Sequence, residues 1–254
     1  MYCPGCGKEI PVGYSGPTCP ACGATLKMGS SPTSQPAGIP WENREQLGFL
    51  PALIGNLRSC LFDPDRFFSD MPKRANLGAA LFYVVILGWI GALGGLLWDI
   101  AFEGTRRQML QALGFPGMEQ TLAGGMRMVI FMAVAILAPV GILIAVFVVS
   151  GILHVMLWIL GGAKEGFEAT LRTYCYAAGS TSLFQWIPFC GGLVGLVWCL
   201  VLQVYGLSRA HEIPAGKAAL AVLLPIALCC ILIFAVALLF AGFFIALLKG
   251  GGSV

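Results

Sequence analysis

Charged residues are absent from 190–207 and again from 218–248, and a single polar break of ten residues separates the two runs. That break, 208–217, carries Arg209, His211, Glu212 and Lys217, and its Pro214 closes one helix before the next begins. Each apolar run is long enough to cross a hydrocarbon layer ~30 Å thick, which predicts two membrane-spanning helices joined by a short basic loop. Three further spans are predicted upstream. Residues 77–98 carry Gly88, Gly91, Gly94 and Gly95, a small-residue stripe that lets another helix approach closely. Residues 128–160 are too long for one straight perpendicular span, so they must tilt, kink at Pro139 or project beyond the lipid. Residues 167–187 form the weakest span, because 177–182 reads AAGSTS and Gln185 is polar. Such a composition needs cover from neighbouring helices, which places this span at the centre of the bundle.

Ahead of the spans the pattern changes. In 46–60, Leu47, Leu50, Ile54 and Leu57 recur at helical spacing with Gln46, Asn56 and Arg58 elsewhere, predicting an amphipathic helix along the membrane surface. The stretch LFDPDRFFSDMPKR follows, with Asp63 at a cap position, Pro64 at the first helical position and Phe67, Phe68 and Met71 on one side. It reads as a headgroup-level anchor, or as a docking surface for a partner or a seal against the bundle. Residues 28–45 are rich in Ser, Pro and Gly at their start and read as a flexible linker.

Composition agrees. Of 254 residues 58% are hydrophobic and only 11% charged, against roughly 25% charged in an ordinary soluble domain. Mean hydropathy is +0.85. The fold class is therefore an all-α integral membrane helical bundle of about five transmembrane helices. The net charge of +3 is not gathered into a patch, so no nucleic-acid partner is expected. With five spans and a cytosolic N-terminus, the inner loops hold Arg58, Arg66, Lys73, Arg74, Lys164, Arg172, Arg209 and Lys217. The outside holds Arg106, Arg107, Arg127 and Lys249. This asymmetry follows the positive-inside rule and puts the short tail, 249–254, outside.

The first 27 residues carry different chemistry. Cys3 and Cys6, then Cys19 and Cys22, form two C-P-x-C-G units, and Gly7 and Gly23 let backbone amides turn back toward the thiolates. Four thiolates from two such knuckles surround one ion tetrahedrally. In a segment with almost no apolar core the metal supplies the folding energy, ~10–16 kcal/mol, and Zn²⁺ suits the donor set. Disulfides are disfavoured in a reducing cytosol, and a redox role lacks the βαβ context. A four-thiolate site has no open position, so the zinc is structural.

Elsewhere candidate chemistry is sparse. The span interiors are expected to hold no Asp, Glu, Lys or Arg, the groups that ion-coupled transport uses. His154, Gln185 and Gln203 are the candidate intramembrane polar site, each with an alternative reading as an interhelical hydrogen-bond partner. His211 beside Arg209 reads as a helix C-terminal cap, and Cys175, Cys190, Cys199, Cys229 and Cys230 as small apolar fillers. No nucleotide-binding loop, nucleophile elbow or metalloprotease pair occurs, so no catalytic residue is assigned.

Three segments together resemble the Yip family of Ypt/Rab-interacting multi-pass membrane proteins. They are LFDPDRFFSDMP before the first span, GGAKEGFEATLRTYCYA entering the third, and GLSRAHEIPAGKAALAVLL between the fourth and fifth. The resemblance implies a five-span bundle, residues 76–248, with a cytosolic N-terminus. Eukaryotic relatives are linked to small GTPases and vesicle traffic, whereas a ribbon of C-P-x-C-G units resembles the bacterial and archaeal branch. No catalytic residue is carried over. The expectation is a non-enzymatic scaffold in a cytoplasmic membrane. Its partners would be the lipid bilayer, a protein recruited by the zinc ribbon, and a second copy in a homo-oligomer. The alternative is a permease, channel or lipid-moving protein built on the same bundle.

Overall fold

The computed structural model describes residues 6, 8–9, 18–24, 38–112 and 124–250. They fall into two compact units, Met1–Ala37 and Gly38–Val254. Among the described residues there is no strand, and the second unit is built from nine helices. These are α1 (Arg44–Leu47), α2 (Phe49–Phe62), α3 (Pro64–Asp70), α4 (Leu77–Ala101), α5 (Glu103–Ala112), α6 (Gly124–Ile159), α7 (Phe167–Ser182), α8 (Gly191–Ala210) and α9 (Ala215–Gly250). Single turns of 3-10 helix cover Pro40–Asn43 and Leu183–Trp186.

Four helices, α4, α6, α8 and α9, are long and apolar enough to cross a membrane. The fifth pass is α7, only 16 residues long and too polar to stand out by hydropathy. Its height is set by its partners on α4. Glu168 Oε1 accepts from the Ala75 backbone N–H at 3.2 Å where both helices begin. Ser182 Oγ donates to Leu87 O at 2.8 Å, and Trp186 Nε1 to Ile90 O at 3.0 Å. Trp98 Nε1 donates to Trp186 O at 2.9 Å. The helix and its 3-10 continuation thus climb parallel to α4 from end to end. The four-residue turn 187–190 then reverses the chain into α8. Burial explains the composition: Ala169, Cys175, Ala177, Gly179 and Ser180 are all covered, as a polar, small-residue helix in a membrane requires.

The glycine stripe works as expected. A Cβ on Gly91 would stand 2.4 Å from Ser182 O, and one on Gly94 2.7 Å from the Trp186 indole nitrogen. One on Gly206 would stand 2.3 Å from Thr173 Cγ2, so α8 uses the same device against α7. The two long apolar runs each form one helix, α6 with Pro139 inside and α9 with Pro225 inside. Apart from a few residues near their polar ends, both leave their apolar faces exposed, as lipid-facing helices do.

The N-terminal approach departs from expectation in its linker and at the Asp63 cap. Residues 38–45 were assigned to a flexible linker, yet Ile39 and Trp41 are fully buried. Trp41 sits among Phe49, Phe82 and Tyr83, with ring centroids 5.3, 6.0 and 5.5 Å away, and its indole N–H donates to Ala79 O at 2.8 Å. Helix α2 forms where the periodicity puts it but turns its other face inward. Ala52, Asn56 and Cys60, four apart, are buried, while Leu47, Leu50 and Ile54 stay exposed. Small residues at i and i+4 allow close approach, and the larger side chains are left for the surroundings. On α3, Asp63 holds the cap position without a side-chain cap bond, and Phe67, Phe68 and Met71 are buried in the bundle core. Phe67 meets Tyr176 edge-on at 5.7 Å, so the segment seals the bundle.

Candidate functional site

In the first unit, the sulfurs of Cys6, Cys19 and Cys22 lie within 4.8 Å of one another, and Cys6 Sγ is 3.9 Å from Cys19 Sγ. A tetrahedral ion with metal–sulfur bonds near 2.3 Å needs sulfurs about 3.8 Å apart, so this group can hold a metal ion. The turn that presents it is the expected knuckle. Gly23 has φ +69°, its N–H donates to Cys19 O at 2.9 Å, and the Ala21 N–H donates to Cys19 Sγ at 3.4 Å. Glycine takes that conformation without a Cβ penalty. Cys3 lies outside the described residues.

The second unit holds an ion pair that the sequence reading missed. Arg172, counted there among the inner loops, is fully buried one turn into α7 and pairs with Glu42 from the 3-10 turn. Tyr176, the next turn of α7, donates its hydroxyl to the same Glu42 Oε1 at 2.8 Å. The expectation of charge-free span interiors therefore fails at Arg172. Two of its nitrogens, Nε and Nη1, have no hydrogen-bond partner among the described residues. The signal was present as a lone cation inside the otherwise uncharged run 169–208, but its partner lay 130 positions upstream in a stretch that reads as linker.

His154 and His211 belong to one chain of hydrogen bonds. The Glu165 backbone N–H donates to His211 Nδ1 at 3.1 Å, so the neutral imidazole carries its proton on Nε2. That N–H donates to Thr170 Oγ1 at 2.9 Å, and the threonine hydroxyl donates to His154 Nδ1 at 2.9 Å. One chain thereby ties α6, α7 and the end of α8. Burial, the neighbouring His154 and Lys73 push the His211 pKa down from 6.5 to about 4, against the opposing pull of Glu165. His211 is thus a neutral linker as well as the residue that follows α8. The other two candidates lie elsewhere: Gln203 Nε2 meets Cys199 Sγ at 3.4 Å, and Gln185 is exposed at the opposite end of α7. The three do not converge. Of the cysteine fillers, Cys175 is buried, but Cys229 and Cys230 lie exposed on α9.

Around His211 the loops are pinned by charge. Lys73 pairs with Glu165 and with Glu212, which raises the Lys73 pKa and lowers that of Glu212. Arg209 Nε and Nη2 grip the two oxygens of Asp65 at 2.7 and 2.8 Å, a bidentate fork. Lys164 Nζ donates to Glu212 O at 2.9 Å.

These contacts bring together three separated stretches, 61–72, 161–177 and 206–224, at one end of the bundle. Asp65 meets Arg209, Phe68 and Thr173 pack around Gly206, and Thr170 meets His211. No curated protein and no solved structure matches the chain. A family profile does: the Yip1 domain matches residues 58–247, which takes in all three stretches and every helix from α3 to the body of α9. With three quarters of its length inside that match and its signature segments assembled at one end of a helical membrane bundle, the chain belongs to the Yip1 domain family.

Proposed function

We propose that the protein is a non-enzymatic membrane scaffold whose first unit is a structural zinc ribbon that recruits a protein partner. The observation that carries this reading is the cysteine cluster, with tetrahedral-edge spacing, on a unit separate from the bundle. Cys6, Cys19 and Cys22 would hold Zn²⁺ with Cys3 as the fourth ligand, leaving no open position for catalysis. In the bundle, two buried polar clusters tie helices together: Glu42 to Arg172 and Tyr176, His211 through Thr170 to His154. That arrangement suits a rigid anchor better than a conducting path. Lys73, Arg74, Lys164, Arg209 and Lys217 gather at the end where α4 and α7 begin, which supports a cytosolic placement for that end and for the ribbon.

The test is cross-linking and mass spectrometry of neighbours in native membranes, comparing the intact protein with its Cys19→Ser/Cys22→Ser form at equal expression and insertion. A partner captured only by the intact form is the expected result. Identical neighbours for both forms would remove the ribbon from the recruiting role.

A further inference from the structure

At the end of the bundle opposite the basic loops, α4, α7 and α8 do not close completely. They leave a cleft of about 460 Å³, within the range of small-molecule sites. Its mouth carries Asp99 and Gln185, and its wall runs along α8 from Gly192 past Leu196 to Cys199. A Cβ on Gly192 would meet nothing within 4 Å, so the space beside it is open. Neither Asp99 nor Gln185 makes a hydrogen bond or ion pair with a described residue, although both are polar groups at the end of apolar helices. Trp98, on the cleft, and Trp186, beside it, mark the rim as headgroup depth, where indoles concentrate in membrane proteins. From that rim the α8 wall descends ~10 Å toward the bilayer interior, at 1.5 Å per residue.

We infer that this cleft is a lipid site, taking a phospholipid with a primary-amine headgroup whose ammonium meets Asp99 and whose acyl chain lies along Gly192 and Leu196. The shape is amphiphilic, polar at the rim and apolar below. The charge selects the headgroup: among the described residues the lining holds one carboxylate and no cation, so an anionic headgroup finds repulsion at the mouth and an ammonium finds a partner. Gln185 offers a carboxamide beside it that can donate to the lipid phosphate or ester oxygens. The hydroxyls of Thr181 and Ser182 are already committed to backbone carbonyls of α7 and α4, so they shape the floor without demanding a ligand.

The test uses the full chain in nanodiscs of equal phosphatidylethanolamine and phosphatidylglycerol with matched oleoyl chains, followed by gentle extraction and native mass spectrometry of the retained lipid. The expected result is roughly fivefold retention of phosphatidylethanolamine over phosphatidylglycerol, the scale of one exposed charge pair. Asp99→Asn abolishes that preference while lipid is still retained, and Gly192→Trp, which fills the open space, reduces retention of both. Equal retention of the two lipids by the wild type, or undiminished retention by Gly192→Trp, overturns the assignment. A readout free of variants accompanies it: phosphatidylethanolamine with a photoreactive chain labels residues 191–199 of the wild-type protein. Labelling confined to the exposed faces of α6 and α9 would show ordinary lipid contact in place of a site.

Discussion

Glu42 reaches from the turn ahead of α1 to the buried guanidinium of Arg172 on α7, and the two close the entry of the chain into the bundle. The pair is desolvated, with Arg172 fully covered and Tyr176 adding a hydroxyl to the same carboxylate oxygen. Removing one member leaves the other charge buried alone, which costs about 3–5 kcal/mol, whereas replacing both with apolar groups costs far less. Glu42→Leu and Arg172→Met should each lower the unfolding midpoint in detergent markedly, and Glu42→Leu/Arg172→Met should recover most of the loss. Strictly additive losses in that cycle would mean the two side chains do not act as a pair.

A pH dependence follows from His211. Its folded pKa, about 4, lies below the ordinary 6.5, so between those values the unfolded chain binds the extra proton. The stabilisation is therefore complete above pH 6.5 and is lost as pH falls toward 4. Protonation would set a second donor on Nδ1 against the Glu165 N–H and add positive charge near Lys73 and His154. The other group facing the ring, Thr170, does not titrate. The loss should be about 3 kcal/mol, from the linkage of about 2.5 pKa units. All six tryptophans lie in the second unit, so indole fluorescence follows its unfolding without interference from the ribbon. His211→Gln should flatten the slope between pH 6.5 and 4; an unchanged slope would assign the dependence to other groups.

The glycine stripe makes the sharpest steric prediction. On Gly91 a methyl group would fall 2.4 Å from a backbone oxygen of α7, which no rotamer change relieves. Gly91→Ala should separate α4 from α7 and destabilise the bundle by about 1–3 kcal/mol, the usual cost of overpacking. Gly104→Ala, at a position with nothing within 4 Å, serves as the control and should leave the midpoint unchanged. Equal midpoints for both variants would mean the helices are not held at this separation.

What the sequence made legible was periodic or local. Uncharged runs gave α4, α6, α8 and α9, because crossing a membrane imposes length and hydropathy on each helix separately. The knuckle geometry at Gly23 and the cysteine cluster were legible for the same reason, since the turn and its ligands lie within a few residues. Helix α7 was placed correctly only because its small residues required cover. The rest was long-range. Trp41 and Glu42 look like the end of a tether until α4 and α7 supply the cavity and the cation that bury them. The face by which α2 packs on the bundle was not legible, because Ala52, Asn56 and Cys60 carry little hydrophobic signal. Close packing selects for small size there, and periodicity analysis weighs apolar bulk.

Metal removal separates the two units. On the proposed reading the first unit draws its folding free energy from a bound ion, while the bundle rests on its own packing. Chelation of the purified protein should release one zinc per chain, abolish the fold of the first unit, and leave the tryptophan-reported unfolding of the bundle where it was. Cys22→Ser should lower the affinity for zinc strongly, because three thiolates with a weak fourth donor hold the ion less well. Cys3→Ser should do the same, which tests the ligand that completes Cys6, Cys19 and Cys22. Cys175→Ser, a buried thiol of the bundle, should leave metal content at the wild-type level. Metal analysis by mass spectrometry alongside thiol titration distinguishes these outcomes. Full zinc occupancy in Cys3→Ser would place the fourth donor elsewhere, and a bundle that melts early on chelation would couple the two units energetically.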